Sequence, residues 1–563
     1  MNMKFAYLGR SALQGSGKVL SLSPNLSRDQ VAFDAPLLHP LRFREAISTL
    51  HDVVISDLRF KPKDHTDYEE WKKNEALRLA NVRREVYQHA KEDILARRTE
   101  PVPKDLEATY SKMRKHYWTA RQKYSDYLRK NDTELWRMLM PCDPVITVAD
   151  DVVFFECFSA DESSYGCLTV KRDGFGKSDL VKLGTTNVDY SWDLYNSFQS
   201  LRSYRETRFK IDPLGFEVAT QGNAEYREEK IDLPASWLRG FMQIQSAMGL
   251  PMRKVSLSRE AVYSLLAFLK RHKARSSPRA LRFELLPGKS PKLVLEPWEQ
   301  TVISHGTIYN GPGGEPIRVW GKPRLLVLSR LLPLIESVDV YLLGTGLPSF
   351  WVANMGEMRL TLGLSGWTTN DWTRSSALDL LTPTTQVPLD TIGRIGQLIR
   401  KLKAASFAEI DASVTGGKMV TATALNHLAH SGQIICDLAE GKYRWRQIMP
   451  MALGEDQMGP ENPELVASRK IRSVKIKSKQ DAPNRALLYS GTTDGIDVEL
   501  LLDTDGRIRR GQCSCSHHMR SGLKMGPCRH LLAFRGMIWR TPKSETQPAS
   551  SSWYDFNYLF RGD

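Results

Sequence analysis

Three of the chain's seven cysteines fall between residues 513 and 528, in the stretch GQCSCSHHMRSGLKMGPCRHLLAFRG, and a histidine follows two places after the last of them. Nothing else in the 563 residues restricts the local fold so tightly. Cys513 and Cys515 close a segment, ALLYSGTTDGIDVELLLDTDGRIRRGQCSC, that reads as a hairpin; a two-residue step on its second strand puts both sulfurs on one face. Cys528 and His530 open a run, RHLLAFRGMIW, whose apolar spacing predicts a helix. Three thiolates and an imidazole brought together in this way complete a tetrahedral Cys3His set with no open position, the coordination of structural rather than catalytic zinc. The expected ligands of one structural zinc ion are Cys513, Cys515, Cys528 and His530, with His517 and His518 in the intervening loop as competitors for the fourth place. The other cysteines, Cys142, Cys157, Cys167 and Cys436, are scattered and suggest no disulfide framework, which suits a reducing compartment.

C-x-C followed by C-x-H resembles the SWIM zinc finger, and its ligand positions correspond to Cys513, Cys515, Cys528 and His530. The resemblance covers the C-terminal module closely; more loosely, the stretch RVWGKPRLLVLSRLLPLIESVDVYLLGTGLPSFWVANMGEMRLTLGLSGWTTNDW is similar to the region preceding the finger in large bacterial SWIM zinc finger proteins. It implies a ββα-type module that binds DNA or protein, often as an accessory to larger machines. It also implies a protein partner of the AAA-type ATPase or von Willebrand A class. In that family pattern His517 and His518 are not ligands.

The formal charge of +15 favours a polyanionic partner, nucleic acid first. Around the cysteine cluster lie Arg507, Arg509, Arg510, Arg520, Lys524, Arg529 and Arg535, a basic surface on which nucleic acid, DNA favoured, could dock. Residues 388–449 add a second candidate contact. Their order of helix, short helix, glycine turn, helix (TATALNHLAHSG) and two strands joined at AEGK resembles a winged helix. In such modules the third helix enters the major groove, which points to Thr421, Thr423, Asn426 and His427, while the wing touches backbone through Lys442, Arg444 and Arg446.

The rest of the chain reads as an α+β multidomain protein. An N-terminal region, 1–142, holds a helix around PLRFREAISTLHDVVISDLRF and a long charged helical hairpin from about 67 to 139, broken at RRTEPVPKD. Tyr110, Tyr117, Trp118 and Tyr124 on that hairpin read better as a helix–helix seam than as base-stacking platforms. An antiparallel β-rich region with helices, in one domain or two, spans 143–380; within it LSREAVYSLLAFLKRHKAR is a helix with Ser258 as N-cap. A Gly/Pro/acidic linker, 450–468, precedes the zinc module, 469–545, and a tail, 546–563. At the start of that module RSVKIKSK alternates as an edge strand with a solvated basic face.

Several functions have no support in the sequence. ALQGSGKVL lacks both ends of a Walker A pattern, LLGTGLPSF lacks a third dinucleotide-spaced glycine, and neither H-E-x-x-H nor G-x-S-x-G occurs. The longest apolar region, 325–347, is interrupted by Arg330, Pro333, Glu336 and Asp339, so no membrane span is expected. The expectation is a cytoplasmic, non-enzymatic zinc protein with no small-molecule substrate, acting as a nucleic-acid-associated accessory factor. The alternative is a protein–protein adaptor in an ATPase-linked bacterial system.

Overall fold

A computed structural model describes residues 31–56, 144–187 (save 160), 198–211 (save 200 and 205), 235–366 (save 275–277), 372, 378–382, 387–448, 462–482, 486–502 and 508–540 (save 524), with short strand pieces at 5–7, 12–14, 19–22 and 228–230. Leu58–Met140 forms a unit of its own. The helical hairpin expected there lies outside the described residues, apart from scattered helical positions between 109 and 131. Everything else clusters as one compact unit of mixed α/β structure built on antiparallel sheets.

Its backbone is an eight-stranded antiparallel sheet. In order across the sheet the strands are Arg253–Ser258, Ser337–Leu342, Ser349–Met355, Met358–Leu364, Ser164–Lys171, Val152–Phe158, Val145–Val148 and Gly184–Asn187. Strand Val152–Phe158 is buried at every position because both faces are covered, the condition under which a strand reads as a continuous apolar run. Val153, Phe155 and Cys157 face one core, with Phe43 and Leu50 of the helix Pro40–Val54. Val152, Phe154 and Phe158 face another, where Phe241 of the helix Ala235–Met248 meets Phe158 edge-on at 4.8 Å. The helix expected at LSREAVYSLLAFLKR spans Arg259–Arg271, and Ser258 caps it by accepting from the Ala261 N–H.

Two smaller sheets flank this body. The first runs Ala12–Gln14, Val19–Leu22, Thr207–Ile211, Ala32–Leu37 and Leu180–Lys182; the second runs Gln300–Ile303, Lys292–Leu295, Leu281–Glu284 and Ile317–Val319. The apolar 325–347 stretch breaks into a 3-10 helix, Lys322–Leu331, and the strand Ser337–Leu342. Among the described residues no helix is long and apolar enough to cross a membrane.

Residues 389–445 form helix Leu389–Leu402, strand Ala404–Ser406, helix Phe407–Ala412, helix Lys418–His430 and strands Ile434–Asp437 and Lys442–Trp445, the last lying between the other two. Ser406 and Glu409 make a full capping box at the second helix. Two arginines expected on the surface of this module are instead inside it, and they correct the sequence reading. Arg444 and Arg446 are each 1% exposed. Arg444 donates to Asp151 at 2.5 Å and to Asp437 at 3.4 Å and lies over the Phe154 ring; Arg446 donates to Glu156 at 3.3 Å and lies over Phe241. Glu156 also accepts from the Tyr165 hydroxyl at 2.7 Å, and burial together with the neighbouring Cys167 and Glu156 pushes the Tyr165 phenol well up. Alternation carries positions 444 and 446 to the side of the strand that rests on the large sheet, which supplies Glu156 and, from the turn before Val152–Phe158, Asp151, while Asp437 comes from the module itself. Arg359 on the sheet reaches back to Asp437 and Glu440.

Removing one member of such a pair strands the other charge in the core. Arg446→Ala is expected to cost about 3–5 kcal/mol of stability by urea unfolding, whereas Arg446→Met combined with Glu156→Gln should recover much of that loss. A loss under about 1 kcal/mol for Arg446→Ala would show that Glu156 finds another partner.

Candidate metal centre

The C-terminal module is a four-stranded antiparallel meander, Val474–Ala482, Ala486–Thr493, Ile496–Leu502 and Ile508–Cys513, crossed on one face by the helix Arg529–Arg540. Two glycines permit the close approach. A Cβ on Gly491 would sit 2.6 Å from the Phe534 ring and 2.1 Å from the Lys475 carbonyl oxygen, and one on Gly511 would sit 2.8 Å from Leu531. The basic strand Val474–Ala482 is terminal in the sheet, with Lys475, Lys477 and Lys479 exposed.

The last strand ends on Cys513. Cys515 follows in extended backbone and caps a short helix, Ser516–Ser521, that the sequence reading did not anticipate. The chain returns through Gly522 and Gly526, both at positive φ, to Cys528 and the start of the final helix. One ligand atom from each of Cys513, Cys515, Cys528 and His530 lies within 4.8 Å of every other, and Cys513 Sγ is 3.8 Å from His530 Nδ1. These four residues can hold one metal ion. His517 and His518 fall outside the group.

The surroundings fit thiolate ligands. The His518 N–H donates to the Cys515 sulfur at 3.4 Å, a backbone donor that favours its anion. Without metal the sulfurs share protons unequally. The adjacent Cys528 thiol, helped by Cys515 and the His530 charge, holds Cys513 well below the usual thiol range against desolvation, while the same pairing and burial push Cys528 far up. Burial also raises Cys515. A soft divalent ion would remove this conflict by taking all three sulfurs as thiolates.

Two further contacts fix the module in place. Glu464, in the helix Pro463–Ser468 within the stretch read as a linker, accepts from the Arg529 backbone N–H at 2.8 Å and from its guanidinium at 2.6 and 3.1 Å, so it caps the ligand helix. The signal was present: Asn462, Pro463 and Glu464 are an N-cap, a first-turn proline and a first-turn acid. Arg535 is 1% exposed and donates to the carbonyl oxygens of Leu380 at 2.9 Å and Thr382 at 3.0 Å. It therefore leaves the group of surface cations expected around the cysteines, because its helix face is the one that meets 378–382.

The other expected nucleic-acid contacts separate by exposure. Arg510 and Arg520 are exposed, Arg509 and Lys442 are half-buried, and Arg529 is committed to Glu464; Arg507 and Lys524 lie outside the described residues. On the helix Lys418–His430, Thr421 is buried and bonds Asp411, and Asn426 accepts from Ser246 at 3.0 Å. That helix packs against Ala235–Met248, and burial depresses the His427 imidazole, with His430 adding to the effect. Of the four helix residues expected to read a groove, Thr421 is buried, Thr423 and Asn426 are half-buried and His427 is exposed.

No protein-family model and no curated protein matches the sequence. Among solved structures, the chain is similar to Proliferating Cellular Nuclear Antigen from Entamoeba histolytica (TM-score 0.28, 11% identity, 40% of this chain and 89% of that one). It is also similar to the PCNA2–PCNA3 complex from Sulfolobus tokodaii (0.27, 11%, 40% and 89%) and to A. fulgidus PCNA bound to the C-terminal region of FEN-1 (0.26, 12%, 41% and 91%). Likeness at that TM-score carries no inference about function or assembly.

Purified protein should carry one tightly held metal ion per chain, measured by elemental analysis, and Cys528→Ser should abolish it together with a cooperative unfolding step. Because the three sulfurs would bind as thiolates, acidification should release the metal, read by a colorimetric chelator, and the unfolding step should disappear with it. An unfolding step that survives complete removal of the metal would contradict the arrangement.

Proposed function

We propose that the protein is a non-enzymatic accessory factor that associates with nucleic acid through a zinc-stabilised, SWIM-type C-terminal module. The observation that carries this reading is the closed Cys3His set on a module with exposed cations, Arg510 and Arg520 near the ligands and Lys475 and Lys479 on its edge strand, where Lys477 instead pairs with Asp497 at 2.8 Å. Zinc is the metal the donor set favours, since three thiolates and an imidazole leave no place for a reacting water. The element order of 389–445 supports a winged-helix module, here used as an internal packing block. A cytoplasmic location agrees with a cysteine site that needs reduced thiols.

The second reading is a protein adaptor in an ATPase-linked system, with an AAA-type or von Willebrand A partner. One observation favours it: with Arg444 and Arg446 buried and the third helix packed on Ala235–Met248, the second expected nucleic-acid contact keeps only Lys442 of its three wing cations.

Fluorescence anisotropy of the zinc-loaded chain with labelled duplex and single-stranded DNA, across several salt concentrations, separates the two. The nucleic-acid reading expects a steep salt dependence, with Arg510→Ala plus Arg520→Ala lowering the log–log slope by about 2. Absence of binding at low salt, with a defined protein partner retained after nuclease treatment, would transfer the function to the adaptor.

A further inference from the structure

The helix Arg259–Arg271 closes on the sequence FLKRHK, residues 268–273, in which two rings stand among three cations. Leu269 turns into the core, and Lys270, Arg271, His272 and Lys273 are exposed. Among the described residues no carboxylate pairs with Lys270, Arg271 or Lys273. At the end of the helix the His272 backbone N–H donates to the Phe268 carbonyl oxygen, and His272 Nδ1 lies 3.1 Å from the same oxygen. That double contact folds the imidazole flat onto the Phe268 ring, with centroids 4.1 Å apart and planes 16° from parallel. Trp298 stands steeply to both rings, 5.2 Å from Phe268 and 5.8 Å from His272, and these distances place it beside the pair rather than over the outer face of the imidazole. Phe268 and Trp298 are half-buried against the core, and the Lys322 ammonium, 4.9 Å from the Trp298 centroid and bonded to the Ala280 carbonyl oxygen at 3.2 Å, holds the indole from within. The helix dipole accounts for cations in a last turn, but not for a flat ring left open between them.

We propose that this helix end is a contact for single-stranded nucleic acid, in which one unpaired base stacks on the outer face of His272 and Lys270, Arg271 and Lys273 take the phosphates on either side. Every base has a π face, and in a duplex that face is covered by the neighbouring pairs, so a stacking platform selects an unpaired strand. The platform exists before the strand arrives: Phe268 and the Nδ1 contact fix the imidazole, and Trp298 backs the stack, so little side-chain freedom is lost when a base lands on it. Lysine and arginine on flexible stems can follow a backbone whose path is not fixed by pairing. An acidic peptide would satisfy the three cations but leave the ring without a partner. The contact lies on the β-rich body, so it holds whether or not the zinc module binds nucleic acid.

Anisotropy of the full zinc-loaded chain with a labelled oligothymidine strand tests it, both in the natural sequence and in an Arg510→Ala, Arg520→Ala background that removes the zinc-module cations. In each, His272→Ala should weaken binding about tenfold or more with the salt slope unchanged, and His272→Trp should restore it, an outcome that mere surface damage would not give. Lys270→Ala, Arg271→Ala and Lys273→Ala together should lower the log–log salt slope by about 2, with thermal melts unchanged because all three positions are exposed. A strand of the same length without bases should bind about tenfold more weakly and be indifferent to His272→Ala. The proposal is overturned if His272→Ala leaves affinity intact, or if duplex of the same length binds as tightly through these residues. Polyglutamate that competes as well as oligothymidine would reassign the patch to an acidic protein. Binding lost through Arg510 and Arg520 alone, with no effect of 270–273, would overturn this contact while leaving that of the zinc module in place.

Discussion

Three arginines without access to water hold the C-terminal half of this chain to its β-rich body. Arg444 and Arg446 tie the three-helix module to carboxylates at the large sheet, and Arg535 ties the metal module to backbone carbonyls at 380 and 382. A guanidinium is suited to this position because it stays charged, spreads its charge over a plane that stacks on Phe154 or Phe241, and offers several donors in fixed directions. Buried ion pairs are weak evidence of net stability. Their effect is on placement, since any other docking of the module would leave charges in the core without partners.

The metal centre is the last link of the same chain of contacts. Cys513, Cys528, Leu531 and Phe534 belong to a core that continues through Ile508 and Leu500 to the three-helix module and on to Phe154 and Phe241. Ligation of Cys528 and His530 fixes the first turn of the helix that carries Arg535, and Glu464 fixes the same turn from outside. Binding energy at the four ligands thus stabilises both the small module and its seat at 378–382, which the independent finger implied by the sequence would not do.

The metal ligands were legible because cysteine and histidine spacing is set by coordination chemistry, which acts within a few residues of sequence. Helices at Pro40–Val54 and Arg259–Arg271 and the strands of the middle were legible for a related reason: periodicity records which face is covered. The fate of Arg444, Arg446 and Arg535 was not legible. An arginine on an alternating strand looks the same whether it faces solvent or a glutamate nearly 300 residues earlier, and Glu156 lies within an apolar run that marks only a buried strand. The helix Ala235–Met248 was missed as well, and with it the cover over Lys418–His430. Errors about these residues were all errors of long-range contact.

That pattern bears on what the net charge of +15 means. A count of basic residues does not distinguish a cation that neutralises a buried carboxylate from one whose field extends into solvent, and only the second steers a polyanion. Here Arg444, Arg446 and Arg359 are consumed internally, Arg529 is held by Glu464 and Lys477 by Asp497, whereas Arg510, Arg520, Lys475 and Lys479 are exposed on the C-terminal module. Among these residues, charge available to a partner is therefore displaced towards the module that carries the candidate metal site. Loss of the metal would scatter those cations and release the constraint on Arg535 together, so the basic surface and its attachment to the body are expected to stand or fall as one.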